Sequence, residues 1–186
     1  MRAGAGTRRR RVGSTLAVLV VIAAAGVLVG SAVRDSRAEQ ALNDALVTSR
    51  VPGREQEAKR RFERLIRDYG GSSAAWTAHG HLAVLEAADG GSDAARSLWQ
   101  RLAEGGPAEL AAEAEMNLIY LDREEGRLDE LADRLEGLVE SGESHLPEAV
   151  LLFELAETLA RLGRGEEARR IRRFEEVVPE KPRVQR

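Results

Sequence analysis

Apolar residues recur at helical spacing through most of the chain, and Gly or Pro interrupts them at intervals. Segments of about 11–18 residues between the interruptions have apolar positions three or four apart, which places them on one side of a helix. The interruptions are Val51-Pro52-Gly53, Gly70-Gly71, Gly90-Gly91, Gly105-Gly106-Pro107, Gly126, Gly142, Gly163 and Val178-Pro179. Ser72, Ser92, Asp93, Pro107 and Pro147 suit first-turn positions of helices. We therefore predict an all-α fold.

The segment from residue 12 to residue 33 differs from the rest because it contains no charged side chain. As a helix, its length of about 33 Å would cross the hydrocarbon core of a bilayer. The run Arg8-Arg9-Arg10-Arg11 precedes the segment, and Arg34 and Arg37 follow it beside Asp35 and Glu39. Because dense basic clusters stay in the cytoplasm, we expect residues 1–11 inside and residues 34–186 outside. This predicts a single-pass protein of a bacterial inner membrane with an extracytoplasmic domain.

A cleaved signal peptide is the alternative interpretation of the same segment, since Gly30-Ser31-Ala32 or Ser36-Arg37-Ala38 fits a small-residue cleavage rule. The apolar run is longer than the usual signal core of about 7–15 residues, which favours an uncleaved anchor. Cleavage would give a secreted or periplasmic protein. Gly26 and Gly30 form a GxxxG spacing that lets two membrane helices approach closely, so helix pairing and a homo-oligomer are hypotheses.

The chain after residue 34 repeats itself. Ala45, Leu82, Leu118 and Leu155 stand at equivalent positions, separated by 37, 36 and 37 residues. A Gly follows eight residues after each of them, and we predict that it ends a helix in the left-handed conformation. Thirteen residues after each stand Ala58, Ala95, Leu131 and Ala168, and seventeen after each stand Phe62, Trp99, Leu135 and Arg172. Twenty residues after each stand Leu65, Leu102, Leu138 and Glu175. Such periodicity is typical of stacked helix pairs whose last helix faces solvent, which would explain the charged Arg172 and Glu175 in the last repeat.

These spacings resemble the tetratricopeptide repeat (TPR), as in Leu82-Ala83 with Gly90, Ala95 and Trp99. The period is two or three residues longer than the family's usual one. The resemblance implies a right-handed TPR-like α-solenoid of about four helical hairpins over residues 34–178, with repeats near 38–70, 72–105, 107–142 and 147–178, and a flexible tail at 179–186. With the anchor, the layout is similar to the ancillary Sec-translocon subunit and to outer-membrane assembly and cell-division coordinator proteins.

The resemblance also implies a concave groove lined by the first helix of each repeat. By repeat position, the groove residues would be Val84, Glu113, Met116, Tyr120, Arg123, Val150, Phe153, Glu157 and Arg161. Tyr120 and Phe153 could anchor an extended peptide or a partner helix, or they could instead fill the core between helix pairs. Where some TPR proteins hold a peptide carboxylate, this chain has Gly80, Val84, Glu113 and Glu154, and only Asn117 matches. Two acids would repel a carboxylate.

Composition and motifs argue against a metal site, a nucleic-acid-binding surface or a catalytic site. The net charge is −3 and Cys is absent, so we expect no nucleic-acid partner, no thiolate metal site and no disulfide. Carboxylates beside arginines, such as Glu124 and Glu125 beside Arg123 and Arg127, suggest a solvated charged face. His79 and His81 would point to opposite sides of a helix, which excludes joint metal binding, and we interpret His79 as a half-buried core residue. His145 has no evident partner.

We therefore expect no enzymatic activity and no cofactor. The leading hypothesis is a membrane-anchored TPR-like scaffold or adaptor that binds protein partners in the cell envelope, in secretion, chaperoning or complex assembly. The alternative is a structural subunit of a membrane complex, held by its transmembrane helix and by lateral packing, without a peptide groove.

Overall fold

The computed structural model describes the backbone of residues 30–177 and the side chains of residues 30–171. Residues 1–11, most of the predicted membrane segment with Gly26, the tail at 179–186 and the side chains of Arg172 and Glu175 lie outside these ranges. Within them the chain is all-α, as predicted, and contains no strand. The helices are α1 (30–49), α2 (Glu55–Tyr69), α3 (Ser73–Ala88), α4 (Ser92–Gly105), α5 (Ala108–Glu124), α6 (Leu128–Ser141), α7 (Glu148–Arg161) and α8 (Gly165–Val177).

Four left-handed glycines separate the two helices of each successive pair. Gly53, Gly90, Gly126 and Gly163 have φ angles of 80°, 81°, 73° and 79°. These are the four glycines of the repeat, so the predicted backbone conformation is confirmed at every one of them. Residues with a Cβ avoid this region, which explains why Gly recurs there.

The other repeat positions are buried. Ala58, Ala95, Leu131 and Ala168 are all in the core, as are the larger Phe62, Trp99 and Leu135. In α2, α4 and α6, two side chains four positions apart therefore lie on the same inward face. Burial of a Leu or Phe side chain contributes about 1.5–3 kcal/mol, so these positions account for much of the drive to fold.

Helix starts differ slightly from the prediction. Ser72 precedes α3 and its Oγ accepts a hydrogen bond of 3.2 Å from the Ala75 N–H, as a helix cap does. Pro107 and Pro147 occupy the position before α5 and α7 rather than the first turn. Their ψ angles of 144° and 142° are extended, while their carbonyls already accept the first helical hydrogen bonds from Ala111 and Leu151.

The chain divides into two compact units, and the boundary between Ala78 and His79 falls inside α3. The described part of the first unit contains α1, α2 and the start of α3. Its buried apolar side chains are Ala38, Leu42, Ala45, Ala58, Phe62, Leu65, Ala74, Ala75 and Ala78. The predicted junction between membrane segment and repeat domain, at residues 33 and 34, lies within α1. No helix of residues 30–177 combines the length and apolar character that crossing a membrane requires.

In the second unit, helices adjacent in sequence are adjacent in space: α4 packs on α5, α5 on α6, α6 on α7 and α7 on α8. One apolar cluster joins the last four helices. Its buried members are Ile119, Leu131, Ala132, Leu135, Leu151, Leu155, Ala156, Leu159 and Ala168. The pair α5/α6 and the pair α7/α8 therefore share a continuous core, which fixes the first helices of the two pairs near each other.

Candidate protein-binding surface

An ion pair joins α5 to α7, the first helices of two consecutive pairs. Arg123 Nη2 donates a hydrogen bond to Glu154 Oε2 across 31 residues of sequence. The two side chains are only 15% and 8% exposed, so the pair is largely removed from water. Charge-assisted hydrogen bonds of this kind are stronger and more directional than neutral ones. The pair therefore fixes which faces of α5 and α7 lie side by side.

Tyr120 stands three residues before Arg123 and Phe153 one residue before Glu154, and both side chains are exposed. Each side chain is 50% exposed, whereas a core residue of this size would be nearly inaccessible. Half of the surface of each residue is therefore open to a partner, which favours the anchor over the alternative interpretation of core filling. Among the side chains of residues 30–171, they are the large aromatic ones with this degree of exposure.

Arg123 contacts both the Tyr120 ring and Glu154, the residue next to Phe153. Its guanidinium carbon lies 6.0 Å from the centroid of the Tyr120 ring, at the outer limit of a cation–π contact. The same guanidinium holds Glu154, the residue next to Phe153. The guanidinium of Arg123 thus contacts both Tyr120 of its own helix and Glu154 of α7, and the ion pair limits how far α5 and α7 can move apart at this point.

We call the predicted groove residues of α5 and α7 together the Tyr120–Phe153 face. It comprises Glu113, Met116, Tyr120 and Arg123 on α5 and Val150, Phe153, Glu157 and Arg161 on α7. Glu113 and Arg161 are exposed, and Met116, Val150 and Glu157 are half-buried. Val84 is also exposed, at 52%, but it lies on α3 and takes no part in the contact that joins α5 to α7. The face combines apolar residues with charged ones.

The positions at which some TPR proteins hold a peptide carboxylate offer no available cation in this chain. Glu154 is occupied by Arg123, and Asn117 Nδ2 donates to the Glu113 carbonyl of its own helix at 3.0 Å. The carboxylate of Glu113 is exposed beside it. Of the two acids that the sequence suggested would repel a carboxylate, Glu113 remains unneutralised, whereas Glu154 is paired with Arg123.

The prediction of a solvated charged face around Arg123 and Arg127 is wrong in part. Arg123 is only 15% exposed and pairs with Glu154, and Arg127 Nη2 lies 3.4 Å from the buried carboxylate of Asp122. Only Glu124 and Glu125 of that group are exposed. Sequence neighbours suggested local pairs, whereas the actual partner of Arg123 is on another helix pair and could not be found from spacing along one helix.

The prediction that His145 lacks a partner is also wrong. His145 Nδ1 lies 2.8 Å from Glu115 Oε1, and the His145 N–H donates to the same carboxylate at 3.1 Å. Ser144 Oγ donates to Glu115 Oε2. Glu115 therefore fastens the loop before α7 onto α5. Ser144 and His145 both contact the carboxylate, so this is a structural clamp rather than a relay from a nucleophile to a base.

The remaining histidines lie as the helical geometry requires. His79 is buried and His81 is exposed, on opposite sides of α3. His79 is more deeply buried than the half-buried position that we expected, with 6% of its surface accessible. Within the described residues there is no group of three or more His, Asp or Glu that could hold a metal ion.

Comparison of the chain with protein-family models and with curated proteins gives no match. The functional assignment therefore depends on the residues and on the geometry of the described helices.

Proposed function

We propose that the chain is a membrane-anchored TPR-like scaffold that binds a protein partner of the cell envelope through the Tyr120–Phe153 face. The observation that carries this proposal is the half-exposure of two aromatic side chains on neighbouring first helices. Exposed aromatic residues are enriched at protein interfaces because they bury a large area at low cost in side-chain entropy. Such a surface suits binding rather than catalysis.

The TPR-like assignment is supported by local and tertiary features together. Helix pairs alternate with left-handed glycines at a period of 36 or 37 residues, and the small and large positions of the second helices are buried. In the second unit, consecutive pairs share a core. A right-handed superhelix with a concave groove is part of the proposal and follows from the resemblance to the repeat family.

Membrane anchoring is supported by the sequence of residues 12–33, which has no charge and follows a basic cluster. An anchor would hold the Tyr120–Phe153 face close to the outer surface of the inner membrane. A partner there would be a translocating chain or a subunit of a membrane complex.

The fixed position of α5 relative to α7 at this face supports specific recognition of a partner. Because Arg123 and Glu154 fix α5 against α7, binding would not need to order the two helices first. The expected partner segment is an extended strand or an amphipathic helix with apolar side chains near its centre. Its ends would meet Glu113 and Arg161, which would set its direction.

Site-specific photo-crosslinking in intact cells tests the proposal. A photoreactive phenylalanine analogue replaces Phe153 in the full-length chain, and the same analogue replaces the exposed Val47 of α1 as a control. We expect a discrete crosslinked product from position 153 and none from position 47. Tyr120→Ala in the position-153 background should reduce that product at least about fivefold, as expected for a hot-spot residue.

Two results would contradict the proposal. The first is equal crosslinking from positions 153 and 47, and the second is an unchanged product after Tyr120→Ala. A Gly26→Leu/Gly30→Leu variant tests the alternative that the chain is a structural subunit. If that variant abolishes complex assembly while Tyr120→Ala and Phe153→Ala have no effect, the chain is held by its membrane segment and not by the face.

A further inference from the structure

A cleft of about 450 Å³ lies elsewhere in the second unit, between α4, α5, α6 and the loop before α7. Ala103, Leu118, Ile119 and Leu138 form its apolar wall. The volume lies within the range of protein sites for small ligands or single side chains. The cleft shares no lining residue with the Tyr120–Phe153 face, so an occupant of the cleft would bind at a separate place.

Carboxylates dominate the rim of the cleft. Glu104 and Glu143 are exposed, and in the part of the chain that the structure describes neither carboxylate has an ion-pair or hydrogen-bond partner. Glu115 lies deeper and is already engaged by Ser144 and His145. The lining thus offers two carboxylates that remain available for a ligand.

The basic groups of the lining do not cancel this charge. Arg134 Nη2 lies 2.8 Å from Asp122 Oδ2, a buried carboxylate outside the lining that Arg96 and Arg127 also contact, so Arg134 is only partly compensated there. His145 directs Nδ1 to Glu115. Together, Glu104, Glu115 and Glu143 outnumber Arg134, and the field in the cleft favours a cation over an anion.

We infer that this cleft binds a basic side chain, an arginine or a lysine, presented by a partner polypeptide. The aliphatic stem would lie along Leu118, Leu138 and Ala103, and the cationic head would reach Glu104 and Glu143. Long basic side chains have both an aliphatic stem and a cationic head, so they cover apolar surface while keeping the charge near water. The inference does not depend on the proposed function of the Tyr120–Phe153 face.

A peptide titration tests this inference on the full-length protein in detergent micelles. The probe is the pentapeptide acetyl-Gly-Ala-Arg-Ala-Gly-amide, and the neutral control replaces arginine with citrulline, which has nearly the same shape. Methyl NMR signals of Ile119 and Leu138 report occupancy of the cleft. We expect both signals to shift with the arginine peptide, and the citrulline peptide to bind at least about fivefold more weakly.

Protein variants then test whether Glu104 and Glu143 supply the negative charge that binds the peptide. Glu104→Gln with Glu143→Gln should weaken binding of the arginine peptide at least about fivefold. Glu39→Gln with Glu63→Gln is the matched control, since it changes the net charge equally at exposed sites on α1 and α2. Tyr120→Ala should leave this binding unchanged. The methyl spectrum of each free variant shows whether its fold is intact.

Three outcomes would overturn the inference. The methyl signals could fail to move at peptide concentrations up to about 10 mM, which would mean negligible affinity. The citrulline peptide could bind as well as the arginine peptide, which would make the cleft a neutral apolar site. The two paired Glu→Gln variants could behave alike, which would mean that only the net charge matters. None of these outcomes bears on the crosslinking test of the Tyr120–Phe153 face.

Discussion

Arg96 Nη1 lies 2.7 Å from Asp122 Oδ1, and the two side chains are 15% and 8% exposed. Arg134 Nη2 lies 2.8 Å from the other oxygen of the same carboxylate, and Arg127 Nη2 is 3.4 Å from Oδ1. One buried aspartate of α5 therefore gathers guanidinium groups from α4, from the turn before α6 and from α6 itself. Burial lowers the pKa of Arg134, and the charge of Asp122 opposes that effect.

We predict that Asp122→Asn destabilises the protein by about 3–5 kcal/mol, the usual cost of removing one partner from a buried ionic group. The substitution preserves shape but removes the carboxylate partner of Arg134, while Arg96 and Arg127 keep only Glu125. Urea unfolding followed by circular dichroism measures the loss. The control is Asp133→Asn on the exposed side of α6, which should stay within about 0.5 kcal/mol of the wild type. Equal stability of the two variants would contradict this role for Asp122.

A double-mutant cycle on Arg123 and Glu154 measures the link between α5 and α7. Arg123→Met and Glu154→Met should each cost about 3–5 kcal/mol, because each leaves a buried charge without its partner. The double variant should cost less than the sum by at least about 1 kcal/mol, since it leaves no unpaired charge. Unfolding in urea gives all three values. Strict additivity would mean that the two side chains do not interact in solution.

Features that depend on a few consecutive residues could be predicted from the sequence. Gly90, Gly126 and Gly163 each stand two residues after a helix ends, and a helix end in the left-handed region needs only that local signal. Gly53 is left-handed too, but α1 already ends at residue 49, so the predicted helix end at Gly53 is wrong. The buried small and large positions of α2, α4 and α6 also follow from spacing, because helical periodicity alone places them on one side.

Contacts between distant residues could not be predicted in this way. Arg123 and Glu154 are 31 residues apart, and Glu115 and His145 are 30 apart. Glu124 and Glu125 stood nearer along the sequence than the true partner of Arg123, which is why the pattern suggested a solvated face. The sequence likewise left open whether Tyr120 and Phe153 are buried, since a helical stripe can border either a core or a groove.

Two glycines near α6 allow a matched test of backbone conformation. Gly126 has φ of +73°, and an added Cβ would meet no atom within 4 Å. Gly126→Ala should therefore cost about 1–2 kcal/mol from conformation alone. Gly137 lies inside α6 with equally open space, so Gly137→Ala should instead stabilise by about 0.5–1 kcal/mol. Thermal unfolding compares the two, and a change of the same sign in both would contradict the assignment of the left-handed turn.

The Glu115 clamp should make stability depend on pH. Burial acts to raise the pKa of Glu115, but the hydrogen bonds from Ser144 and His145 outweigh it and lower the pKa below its usual value of 4.5. A carboxyl whose pKa is lower in the folded state binds its proton more readily when unfolded. The stability that Glu115 contributes is therefore complete above the unfolded pKa and is lost as the pH falls through the folded pKa.

Glu115→Gln tests this dependence because it keeps the size of the side chain and removes the charge. At neutral pH, the variant should be less stable than the wild type by about 1–3 kcal/mol, the range for hydrogen bonds to a charged group. The difference should shrink as the pH falls below 4.5, the usual value for this carboxyl, because the wild type then becomes protonated too. Urea unfolding at a series of pH values measures it, and subtraction removes the contributions of the other carboxylates. Glu130→Gln, at an exposed site of α6, should differ little from the wild type at any pH. A deficit of Glu115→Gln that stayed constant with pH would mean that the clamp does not depend on the charge of Glu115.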